Sequence, residues 1–176
     1  MATKTLYLLR HAKSDRSDGD LADFDRPLAP RGRNDAPALG AYMKDHGYRP
    51  DLILCSPARR TRETLALIEP AIGKEVPTKF DRKLYLASSD GLLQQLQQVA
   101  DKNSSVLLIG HNPGLERLSG SLARRGDRDA LARMREKYPT SGLAVIILHI
   151  DRWQQLEPGA GTLTDFMIPA GLPGDD

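Results

Sequence analysis

The chain has a single cysteine, Cys55, in 176 residues. No internal disulfide can form from it, so nothing calls for an oxidising compartment and the expected location is the cytoplasm. An excess of one charge sign is also missing. Lys and Arg number 25 against 23 Asp and Glu, a formal net charge of +2. Bulk nucleic-acid binding is therefore not expected, although the pI is near 8.7. No apolar run approaches the roughly 18 residues that cross a bilayer. Leu6 to Leu9 is too short for the core of a signal peptide, and no membrane partner is expected. There is no Gly-x-x-x-x-Gly-Lys-[Ser/Thr] run for nucleotide phosphates, no internal repeat and no low-complexity linker. The length suits one domain, residues 1–176, large enough to bury a core without staples.

What is present is an alternation of short apolar runs with longer amphipathic segments. Strands are predicted at Thr5–Leu9, Asp51–Cys55, Ser105–Ile109, Leu143–Ile150 and Thr162–Ile168. Helices are predicted from Pro30 to Gly47, along the Thr61, Leu65, Ile68, Ile72 face to Gly73, after a Ser88 or Ser89 cap, from Pro113 to Leu122, and over Arg128–Lys137. Pro37 is expected to kink or split the first of these. Residues 12–29 carry many charges and few large apolar groups and read as a long functional loop. The pattern predicts an α/β fold: a mostly parallel central sheet with helices on both faces, the last two strands pairing as a hairpin.

Three of the strands end in the same kind of residue. The first delivers Arg10-His11, the second Ser56 with Arg59, Arg60 and Arg62 on the next turn, the third His111-Asn112. Ligands of open parallel sheets bind beyond the carboxyl ends of the strands, where these groups converge. Two His with two or more Arg suit a doubly charged oxyanion, because the planar Arg fork pairs with two oxygens at once. A helix opening at Pro113 adds its N-terminal N–H groups.

The segments Arg10-His11-Ala12-Lys13-Ser14, Ser56 to Thr64 and Gly110-His111-Asn112-Pro113-Gly114 together resemble the histidine phosphatase superfamily, also called phosphoglycerate-mutase-like. Arg-His-Ala-Lys-Ser and Asp25-Arg26-Pro27-Leu28 with Arg31-Gly32 look like its SixA branch of phosphohistidine phosphatases, which lacks an inserted cap. The resemblance implies that His11 is the nucleophile and that Arg10, Arg60 and His111 line the phosphate pocket. Arg60, not Arg59, stands at the family's spacing of four after Ser56. Lys13, Ser14, Arg26 and Asn112 are the candidate substrate contacts. No cofactor or metal is expected, because both His lie beside Arg and cations repel a cation. The implied partner is a phosphohistidine-containing protein or a small phosphorylated substrate.

Larger members of the family carry an acidic proton donor, usually Glu, after the second strand's helix. Between Asp81 and Asp90 there is no Glu, and only Asp81 could substitute. Hydrolysis of a labile P–N bond is thus expected over hydrolysis of alkyl phosphates. Three alternatives stand beside this reading. One is a general small phosphomonoesterase. Another is a phosphate-reading interaction module without turnover. The third is a cysteine phosphatase on Cys55, whose Arg should lie six residues on, where Thr61 stands. His46 is expected to serve a helix end, His149 a strand, Arg59 and Arg62 a solvated face, and Trp153 the core.

Overall fold

The structure, a computed structural model, describes residues 2–169. Its first strand, β1 (Lys4–Arg10), shows how the sheet is built. Successive side chains leave a strand on opposite faces. Leu6 and Leu8 join one apolar cluster, Tyr7 and Leu9 the other. The strand β4 (Ser105–Gly110) divides likewise, Val106 and Leu108 against Leu107 and Ile109. A strand buried on both faces reads as a continuous apolar run, which is what the sequence presents.

Helices α1 (Pro30–Asp45) and α2 (Arg59–Ile72) cover the Leu9 face through Leu39, Met43, Leu65 and Ile68. The opposite face is covered by α3 (Ser89–Gln97), α4 (Gly114–Leu122) and α5 (Arg128–Glu136), through Leu92, Leu96, Leu115, Leu118 and Met134. Burying each such Leu is worth about 1.5–3 kcal/mol. Ser88 caps α3, its hydroxyl accepting from the Gly91 N–H at 3.1 Å.

The remaining strands are β2 (Leu52–Cys55), β3 (Thr78–Phe80), β5 (Ala123–Gly126), β6 (Leu143–Leu148) and β7 (Gly161–Met167). The sheet runs β3-β2-β4-β1-β6-β7-β5. Among the described residues only β6 runs against its neighbours; the other pairings are parallel. β6 and β7 form the expected antiparallel pair. Between them lies a short 3-10 turn, Trp153–Gln155, whose fully buried indole donates to the Asn103 carbonyl at 2.8 Å.

Two strands escape the sequence pattern. β3 and β5 are the edges of the sheet and are short, and β5 reads Ala-Arg-Arg-Gly. Charged, brief edges resist pairing with other chains, and they carry no alternation to detect. Pro37 does not split α1, which runs unbroken for 16 residues. It lies on the exposed face, where the carbonyl it leaves unpaired, that of Arg33, can turn to water.

Register places the site. Arg10 lies opposite Gly110, and Cys55 opposite Ile109, so β1, β2 and β4 end level. The residues that follow them emerge side by side. The antiparallel β6 begins at this same edge, with Leu143 opposite Leu9.

Candidate active site

His11 is the first residue past β1. Its N–H still donates to the Gly110 carbonyl, at 3.2 Å. The ring nitrogen Nδ1 lies 2.7 Å from the Ala12 carbonyl. A carbonyl only accepts, so Nδ1 carries the proton and Nε2 the lone pair. Arg60 Nε donates to that Nε2 at 3.3 Å. His111, the first residue past β4, has the opposite tautomer. Arg60 Nη2 lies 3.3 Å from its Nδ1. A guanidinium only donates, so Nδ1 is the acceptor and Nε2–H donates to Ser56 Oγ at 2.7 Å. The two imidazoles stand with ring centroids 5.4 Å apart, and each turns a lone pair toward Arg60.

Both rings are held neutral. His11 and His111 are 6% and 3% exposed. Burial is the main force lowering the His11 pKa well below its ordinary value, and the neighbouring His111, Arg60 and Arg10 add to it. Burial also leads for His111, with Arg60 next, and brings it down to about 3. The sequence points to the cations; desolvation proves the larger cause.

Arg60 sits in the first turn of α2 and is 2% exposed. A buried guanidinium persists only when its donors are satisfied. Here Nη1 donates to the Asp23 backbone carbonyl at 2.7 Å and Nη2 to Asp23 Oδ2 at 3.0 Å. Asp23 is held in turn by Arg26, at 2.9 Å, and by the Tyr85 hydroxyl. These donors hold its carboxyl well below the usual carboxylate range, against the opposing effect of desolvation. Thr64 joins two motifs: its hydroxyl donates to the Arg60 carbonyl at 2.7 Å and accepts from the Ala12 N–H at 3.0 Å. Arg10 Nη1 donates to the Tyr138 carbonyl at 3.1 Å. The turn before β6 closes the floor, the Ser141 N–H donating to the Arg10 and His11 carbonyls at 3.1 and 3.0 Å.

The structure thus brings Arg10, His11, Arg60 and His111 together as the sequence predicts. Ser14 and Arg26 join them at one remove: Arg26 Nη1 donates to Ser14 Oγ at 2.7 Å and reaches Arg60 through Asp23. Lys13 contributes backbone here, its carbonyl accepting from the Ala29 N–H at 2.9 Å. Gly32 packs so closely on that carbonyl that a Cβ would collide with it, which explains the glycine of Arg31-Gly32. The Asn112 side chain is engaged by protein at both ends, Nδ2 donating to the Tyr138 carbonyl and Oδ1 accepting from the Glu116 N–H. Its amide braces the start of α4, a use that the expected substrate contact leaves out.

Asp23 and Tyr85 are the residues that sequence reasoning missed. Asp23 lies in an Asp-rich loop with nothing to single it out, and Tyr85 in a segment whose sequence carries no motif. Asp81 is turned to another use, its carboxylate accepting from the Lys83 N–H at 2.8 Å to cap a short turn. The cysteine alternative meets two obstacles. Burial pushes the Cys55 thiol well up, away from the thiolate a nucleophile needs. Thr61, at the position an Arg should fill, is fully buried and its hydroxyl bonds the Ser56 and Ala58 carbonyls. Arg59 pairs with Glu63 at 2.9 Å on the solvated face.

Known proteins resemble this chain in family and in fold. The sequence model of the histidine phosphatase superfamily (branch 1) matches residues 6–85. The uncharacterized protein Rv1276c of Mycobacterium tuberculosis is 37% identical over 163 residues, 92% of this chain and 99% of that one. A candidate phosphohistidine phosphatase SixA from Nakamurella multipartitia superimposes with a TM-score of 0.84 at 29% identity, covering 97% of this chain and 98% of its own. Another from Agrobacterium tumefaciens gives 0.79 at 32% identity, covering 94% and 98%. With its three motifs level at one sheet edge and relatives matching nearly its whole length, the chain belongs to the histidine phosphatase superfamily, in the SixA-type branch.

Proposed function

We propose that the protein is a phosphohistidine phosphatase working through a covalent phosphoryl group on His11. The observation that carries this is the fixed tautomer of His11. Its proton is committed to the Ala12 carbonyl, so an unprotonated Nε2 faces the Arg60 guanidinium and accepts from its Nε at 3.3 Å, a bond that gives way as phosphorus approaches. In the first half-reaction the Nε2 lone pair attacks phosphorus in line. The P–N bond to the substrate breaks, and its electron pair stays on the departing nitrogen. Phosphohistidine whose other ring nitrogen is protonated leaves as neutral imidazole and needs no added proton. Phosphoryl-His11 is the same species with the roles exchanged. Water then attacks its phosphorus, phosphate departs with the water's proton, and His11 regains its lone pair.

Arg10 and Arg60 supply positive charge to the three equatorial oxygens, and neutral His111, which accepts from Arg60 and donates to Ser56, lines the pocket beside them. Phosphoryl transfer depends chiefly on such positioning and charge. The local carboxylates support the P–N reading. Asp23 is kept ionised by two guanidinium groups and a hydroxyl, and Asp81 caps a turn. Neither is a ready proton donor for an alkoxide. Arg60 lies between the two imidazoles, and its charge opposes a divalent cation there, so exhaustive chelation is expected to leave the rate unchanged.

The test is a substrate series at saturation: phosphohistidine, p-nitrophenyl phosphate and a phosphoserine peptide. Phosphohistidine is expected to exceed phosphoserine by about 10²-fold or more, the usual worth of a missing general acid. Equal rates would mean that a proton donor exists and would overturn the reading. Tight binding of phosphohistidine without release of phosphate would select the interaction module instead.

A further inference from the structure

One aromatic ring leans on the site with no part in the phosphoryl transfer just described. Tyr85 follows the 3-10 turn Arg82–Leu84, and its ring meets His111 nearly perpendicular, with centroids 5.4 Å apart at 83°. Phe24 meets the same ring at 5.0 Å and 86°. The Arg82 guanidinium lies over Phe24, 4.4 Å from its centroid. The Tyr85 hydroxyl is tied to Asp23. Contacts from two other segments therefore fix the ring, yet it stays only half-buried. The chain just beyond is anchored too. Gly114 of the third motif sits under the Ala87 carbonyl, so close that a Cβ would collide with it. The motif glycine thus lets the Tyr85 segment lie across the start of α4.

Between these anchors stands Leu86, with φ of 51° and 54% exposure. A leucine in the left-handed region is strained by its Cβ, and one left in solvent recovers little by burial. Such strain collects at working sites. A pinned, partly open tyrosine against His111, followed in the chain by an exposed leucine, makes a wall suited to a flat ring.

We propose that Tyr85 is a specificity-determining residue that packs against the leaving group and selects the imidazole of phosphohistidine over P–N substrates without a ring. This rests on the phosphatase reading above. An aromatic face favours a flat partner, and favours it more when that partner carries positive charge, as the protonated phosphohistidine ring does.

The experiment compares kcat/KM for phosphohistidine with that for phosphoramidate, which shares the P–N bond and lacks the ring. In Tyr85→Leu the ratio of the two is expected to fall about tenfold, the worth of one good aromatic contact. Tyr85→Phe, which keeps the ring and loses the bond to Asp23, should retain the wild-type ratio. Phe24→Leu removes the ring's support from a loop and should lower the ratio by a smaller factor; it decides the matter if Tyr85→Leu does not fold. An unchanged ratio in the folded Leu variants would overturn the role of Tyr85 and leave the phosphatase reading standing. A wild type that hydrolyses phosphoramidate but not phosphohistidine would overturn both.

Discussion

His11, Ser56 and His111 follow the ends of three level strands, whereas Asp23 and Tyr85, which touch each other above them, lie 62 residues apart on loops. The floor is held by the sheet. To displace His11 or His111 is to disturb β1 or β4, whose side chains are buried on both faces. The rim is held by a few hydrogen bonds and ring contacts at partly exposed residues. The floor can therefore hold its two neutral imidazoles in fixed tautomers, while the rim can be tuned or moved without cost to the core. Segments of low local stability are where substrate-contacting parts of proteins tend to lie.

Substitutions should sort along this division. The largest effect is expected from His11→Ala, which should abolish turnover while the protein folds, because the ring serves the site and not the apolar clusters. A folded His11→Ala enzyme with near-native activity would place the nucleophile elsewhere. Next comes Arg60→Ala, expected to cost about 10²–10³-fold in kcat, as loss of a charge-stabilising donor does. Arg59→Ala, removing a solvated ion pair, should stay within about a factor of two. The reverse order in steady-state assays would show the floor to be misassigned. At the rim, Asp23→Asn keeps the backbone contact to Arg60 and loses only a half-exposed charge. Its effect on kcat should be no more than about fivefold. A loss as large as that of Arg60→Ala would erase the distinction between floor and rim.

Acidification gives the finest test. The folded imidazoles titrate below their unfolded value of about 6.5, so the unfolded chain binds more protons as pH falls beneath it. Their contribution to stability is full above that value and is lost toward the folded value, about 3 for His111. Asp23 adds a loss of its own below the unfolded carboxylate value of about 3.9. The melting temperature should thus fall from pH 6.5 to 4, and His111→Gln should flatten that slope. Nitrogen NMR at pH 5 should still show neutral rings, with the proton on Nδ1 of His11 and on Nε2 of His111. Protonated rings at that pH would contradict the buried floor.

The same division explains how much of the molecule could be read from its residues. β1, β2, β4 and β6 are apolar runs, and the motif residues lie at or directly past the ends of the first three, so register alone carries them to one edge. β3 and β5 are edge strands with too few apolar positions to show a period. Asp23 is one of several aspartates in its loop, and only the folded chain shows which one meets Arg60. Tyr85 and Ala87 meet the third motif through contacts that no local pattern encodes, which also hides why Gly114 must be glycine. The direction of the histidine pKa shifts could be foreseen from neighbouring arginines. Their main cause, burial, required the packed sheet.

Whether His11 carries the phosphoryl group is read most directly by quenching the enzyme during turnover of labelled phosphohistidine and locating the label. Phosphate is expected on His11, stable to alkali and labile to acid, and absent from His11→Ala. Label on Cys55, or hydrolysis with no covalent phosphoenzyme under single-turnover conditions fast enough to detect one, would contradict it.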